Sequence, residues 1–138
     1  MIPRTIKELK KYMIDNCYNC DLYAVIDKQK HDGFGLEEWG ELYVWYYVER
    51  GNRENINYFN AEEKAVEYIY DVLLTDKFAR SHFFKLIDDP LKKNELVNSL
   101  NNKKIEFWTD EIPYLGIDGK ATRFFIVGCD IKKVKDFN

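Results

Sequence analysis

The sequence has little of what most enzymes and nucleic-acid binders display. It holds two histidines, three cysteines and three prolines in 138 residues. No stretch is long enough to cross a bilayer as a helix: the longest apolar run, Leu42 to Val48, has seven residues. The start, Met-Ile-Pro-Arg-Thr-Ile-Lys, has no apolar core of a secretory signal, so a cytoplasmic protein is expected. A basic excess is also missing. The net charge of −3 speaks against a general nucleic-acid binder. Repeats, low-complexity tracts and a recognisable linker are lacking, and the length suits one domain, 1–138, with a core of its own.

What is present is aromatic and unevenly charged. Trp, Tyr and Phe number 3, 10 and 9. Residues 37–71 carry nine acids against three bases, a net of −6, while residues 77–104 carry seven bases against three acids, a net of +4. An acidic field of this kind attracts basic surfaces and repels phosphate.

Periodicity and punctuation give an order of elements. A helix is expected over 3–16, with Pro3 in its opening turn and Ile6, Leu9, Met13 and Ile14 at helical spacing. A strand is expected over 22–26 and a glycine-containing loop over 28–40. A hairpin follows, with strands 42–49 and 56–59 around an Arg50-Gly51-Asn52-Arg53 turn. Asn60 then caps a helix, Glu63 stands at the capping-box position, and Ala65, Val66, Ile69, Val72 and Leu73 form the apolar stripe. A further helix is expected over 75–87, with Phe78, Phe83, Leu86 and Ile87 inward. Asp89-Pro90 opens another helix, ending near Asn101. Strands over 105–109 and 123–127 close the chain, with Asp118-Gly119 as the turn between them. Consecutive strands imply antiparallel pairing, hence an α+β fold: one antiparallel sheet of about five strands with three to four helices.

Motifs that carry chemistry are weak. Cys17-x-x-Cys20 follows a helix and precedes a strand, the reverse of a redox junction. Cys129 with His31 or His82 does not supply a second zinc-ligand pair, so free, partly buried thiols and no metal are expected. Gly33-Phe-Gly35 begins like a dinucleotide loop, but Glu38 falls where the third glycine belongs and would oppose a pyrophosphate. His31 beside Asp32, and His82 after Ser81, form no triad by spacing. The paired carboxylates Glu37/Glu38, Glu62/Glu63, Asp88/Asp89 and Asp110/Glu111 read as solvated charge. Neither a catalytic residue nor a cofactor is assigned.

In the first hairpin strand Leu42, Val44, Tyr46 and Val48 share one face and Tyr43, Trp45 and Tyr47 the other. The first set is expected in the core. The second is a partner surface unless a second layer covers it, since Tyr and Trp are favoured at binding hot spots.

The stretch YVWYYVERGNRENINYFNAEEKAVEYIYDVLL, within Glu41–Leu74, resembles a pattern in small bacterial immunity proteins that neutralise polymorphic or contact-dependent toxins. The pattern is an aromatic strand, a Glu-Arg-Gly turn, a short strand ending in an aromatic, and an amphipathic helix. The resemblance implies a single-domain, cytoplasmic, non-enzymatic protein that binds a cognate, often basic, toxin domain such as a nuclease. No contact with nucleic acid is expected, given the acidic surroundings, and none with a membrane, given the short apolar runs. The partner surface is expected at Glu37, Glu38 and Trp39, at Tyr43, Trp45 and Tyr47, and at Glu62, Glu63 and Glu67. The alternatives are an interaction or regulatory domain without a toxin, and a small hydrolase.

Overall fold

A computed structural model describes residues 2–113 and 119–135. The class is α+β, but among the described residues the strands form two sheets, one of four strands and one of three, where a single sheet of about five was expected. The chain divides into two compact units, Met1–Arg80 and Ser81–Asn138.

In the first unit, α1 (Ile6–Asp15) begins later than its apolar spacing suggested, because Thr5 is the cap: its hydroxyl accepts the Glu8 N–H at 3.1 Å. Glu8 reciprocates one residue upstream, accepting the Arg4 N–H at 2.9 Å. Leu9 and Met13 are buried, but Ile14 is exposed, having turned off the buried face. β1 is only Tyr23–Ala24, shorter than the expected strand. β2 (Gly33–Trp39) occupies most of the expected loop, where Phe34 and Leu36 alternate as a strand requires. β3 (Leu42–Glu49) and β4 (Asn52–Phe59) meet through a two-residue turn, tighter than expected. Arg50 and Gly51 adopt φ of 52° and 81°, the paired positive values of a primed hairpin turn. The Arg50 N–H donates to Asp32 Oδ1 at 2.9 Å and fixes this otherwise costly conformation.

The sheet runs β1-β2-β3-β4, with β1 parallel to β2 and the other pairs antiparallel. A parallel pair joined by residues 25–32 alone is unusually tight. Gln29 clasps it: its Nε2 donates to Asp21 O and Phe34 O, both at 2.8 Å, and its Oε1 accepts the His31 N–H at 3.0 Å.

α2 (Glu62–Thr75) buries Ala65, Val66, Ile69 and Leu73 as its period predicts. Its cap is Ala61, without a side-chain bond, so the expected Asn60–Glu63 capping box does not form; Glu62 and Glu63 face the positive end of the helix dipole instead. α1 and α2 lie on one face of the sheet, enclosing Trp45 with Leu9, Met13, Tyr23, Val66, Ile69 and Leu73.

The expected helix over 75–87 is replaced by a 3-10 turn, Lys77–Arg80, and by β5 (Ser81–Ile87). Ser-His-Phe-Phe-Lys-Leu-Ile is rich in residues that suit a pleated surface, and pairing with a later strand outweighs the helical spacing. Phe83 and Leu86, expected inward, are exposed.

In the second unit, α3 (Pro90–Asn102) starts as the sequence indicates: Asp89 Oδ1 accepts the Leu91 N–H at 2.9 Å. β6 (Phe107–Pro113) and β7 (Lys120–Val127) complete an antiparallel sheet of order β5-β7-β6. Its core joins Leu96, Leu100, Ile105, Phe124, Ile126 and Val134. The expected Asp118-Gly119 turn falls partly on residue 118, outside the described residues. Among the described residues no helix is long and apolar enough to cross a membrane.

Candidate protein-binding surface

The cross-strand register settles which face of β3 the helices cover. Phe34, Leu36 and Phe59, paired with Tyr47, Trp45 and Tyr43, all pack against the Trp45 cluster. Tyr23, Phe34 and Trp45 stack with interplanar angles of 8–9°. The expected contact face is therefore the core face, and Trp45, 1% exposed, cannot meet a partner. Tyr47 is half-buried with its ring centroid 4.8 Å from that of Phe34. Tyr43 is half-buried, and this burial, with the Glu38 and Glu62 carboxylates nearby, raises its hydroxyl above the ordinary tyrosine value.

The other face was expected to be core throughout, yet only Val44 and Tyr46 are buried there. Val48 is half-buried, and Leu42 is 39% exposed. Tyr46 pairs with Gly35, and its ring lies across the space a side chain would fill. Its hydroxyl accepts the Gln29 N–H at 3.4 Å. The Arg53 guanidinium covers the ring, with Cζ 3.9 Å from the centroid. Arg53 then reaches Glu37 with both terminal nitrogens, at 3.3 and 3.1 Å, and bonds Asn55 Oδ1 through Nε at 2.9 Å. Asn55 Nδ2 in turn donates to Tyr58 Oη at 3.1 Å. A polar chain thus crosses from β2 to β4 above a buried tyrosine. The bidentate geometry fixes the guanidinium plane and holds the Glu37 carboxyl below the usual glutamate range.

Beside this chain stand Trp39, 58% exposed, Leu42, its cross-strand partner, and Tyr58, 53% exposed. Glu41 is exposed in the β2–β3 turn, while Glu38, Glu49 and Glu54 are exposed on the same strands but, by pairing, on the side of Tyr43 and Tyr47. Two of the nine expected contact residues, Glu37 and Trp39, belong to this face. Glu38 points to the helix side with Tyr43, as pairing dictates. Glu62 is a strut: its Oε2 accepts the Ile6 N–H at 3.0 Å, tying α2 to the first turn of α1. Glu63 and Glu67 are exposed on α2. Sequence reasoning missed Leu42, Arg53 and Tyr58, since recognising them requires that 33–39 be a strand. The alternation of Phe34 and Leu36 was the available signal.

Cys20 is a free, half-buried thiol. Burial, and then Asp21 and Asp27, push the Cys20 thiol up, away from reactivity. Among the described residues no group of three or more His, Cys, Asp or Glu is placed to hold a metal.

Comparison with protein-family models, curated proteins and solved structures finds no match.

Proposed function

We propose that this chain is a non-enzymatic protein-binding module of the immunity type, which neutralises a basic bacterial toxin domain by occluding it. The observation that carries the reading is the exposure of Trp39, Tyr58 and Leu42 on one sheet face around the Arg53–Glu37 pair. Large amphipathic rings held on rigid strands lose little entropy on binding, and Arg, Tyr and Trp dominate hot spots. The exposed glutamates nearby supply the field that speeds encounter with a cationic partner. The site of action is the cytoplasm, where a toxin-producing cell needs protection.

Co-expression with a toxin domain encoded beside the gene tests this reading. Wild type is expected to rescue growth, and Trp39→Ala with Tyr58→Ala to weaken the complex roughly 30-fold or more, the loss of about 2 kcal/mol at a hot spot. Unrescued growth with folded, abundant protein refutes the toxin partner. Unchanged affinity in the double variant refutes the surface.

A further inference from the structure

The four-stranded sheet has an incomplete edge. Phe34 directs its N–H to the β1 side, where Leu22 O accepts it at 2.8 Å. By strand alternation the backbone groups of Leu36 and Glu38 point the same way. The ladder on that side ends at Ala24↔Gly35, so no strand of the described residues stands opposite the Glu38 N–H and C=O. The cause is local: the Val25 N–H turns back to Tyr23 O at 3.2 Å, and the chain leaves β2 after two residues. Residues 25–28 therefore diverge from β2 and open a cleft of about 500 Å³. Ile6, Val25, Ile26 and Leu36 give it apolar walls, and Asp27, Glu37, Glu38, Lys10, Lys28 and Tyr46 complete the lining.

We infer that this cleft receives an extended, cationic segment of a partner protein, which adds as a strand to the open edge of β2. An edge with unpaired N–H and C=O groups is complementary to an extended backbone, and the walls on either side take alternate side chains. Charge selects the occupant. A second copy pairing antiparallel through the same edge would set Glu37 and Glu38 of one chain against those of the other, and like charges opposite each other are unfavourable. A lysine or arginine opposite Glu38 has the reverse sign. Glu37 is already occupied by Arg53, and Lys10 and Lys28 stand with Asp27 in the rest of the lining, so selection falls to Glu38, whose own backbone groups are the unpaired ones. This inference rests on the protein-binding reading, and places one contact on an edge that reading does not need.

The test uses the full chain with a six-residue peptide of alternating lysine and valine. Controls are its glutamate–valine counterpart and a copy N-methylated on alternate amides. Hydrogen exchange at the Glu38 amide, followed by NMR, is expected to be fast in the free protein and slowed on adding the lysine peptide. Affinity should vanish with N-methylation. Glu38→Lys should weaken the lysine peptide about five- to tenfold and favour the glutamate peptide, a gain that misfolding cannot mimic. A Glu38 amide already protected in the free chain, or binding indifferent to N-methylation, overturns strand addition. A toxin complex in which the Glu38 amide exchanges at its free rate also overturns it, while leaving the binding reading intact. Failure of rescue on co-expression refutes that reading but not peptide protection.

Discussion

Replacing Gly35 by alanine tests the outer face of the first unit at its tightest point. A Cβ at Gly35 would overlap Tyr46 Cζ and Oη and stand 2.8 Å from Cε2, against an ordinary carbon–carbon separation of about 3.5–4.0 Å. The ring would have to shift by about 1 Å or more. The tip of a tyrosine is normally free to yield, but here the ring is only 3% exposed. Arg53 lies on it, and Gln29 bonds its hydroxyl. Overpacking of this kind costs about 1–3 kcal/mol. Alanine recovers about 0.4–1 kcal/mol by restricting the unfolded chain, because Gly35 carries no positive φ and incurs no backbone strain. The net expectation is a loss of about 1–2 kcal/mol, read as a lower urea midpoint at unchanged slope. Tyr46→Leu removes the obstructing ring, so Gly35→Ala should cost far less in that background. A loss below about 0.5 kcal/mol in the wild type, or strict additivity in the double variant, would show that Tyr46 does not lie where this reasoning requires.

Three further outcomes follow from neighbouring residues. Trp45→Ala should cost about 3–5 kcal/mol as a core truncation, while Trp39→Ala should stay within about 0.5 kcal/mol; comparable losses in urea melts would contradict the assignment of the two faces. Glu37 has a depressed folded pKa through Arg53, so its contribution is complete above the unfolded glutamate pKa and fades as pH falls through the folded value. The stability difference between wild type and Glu37→Gln should therefore be flat at neutral pH and shrink under acid, and a difference that grows on acidification would refute the pairing. Cys20, raised by burial and by Asp21 and Asp27, should alkylate with a pH midpoint above that of an exposed thiol; a midpoint at or below it would contradict its surroundings.

How far the sequence could be read depended on whether a local signal and the tertiary contact agreed. Asp89-Pro90 and the stripe Ala65, Val66, Ile69, Leu73 were legible because capping and burial are decided within a few residues. Ser81–Ile87 was not, since its helical spacing competes with a pairing to β7 that no local window contains. The face of β3 failed for a different reason. Val44, Trp45 and Tyr46 are all buried, so alternation separates the two faces without saying which one receives the helices. That choice is made by Phe34 and Leu36, which pair with Tyr47 and Trp45 and add apolar area to their side, whereas Gly33, Gly35 and Glu37 leave the opposite side bare. A helix pair goes where the contiguous apolar area is larger. The bare side then keeps its aromatics only by other means: Tyr46 fills the space above Gly35, and Arg53 closes over Tyr46. The same glycines that deny that face to a helix thus create the polar chain from Glu37 to Tyr58. Filling Gly35 would disturb the proposed contact surface together with the stability of the sheet.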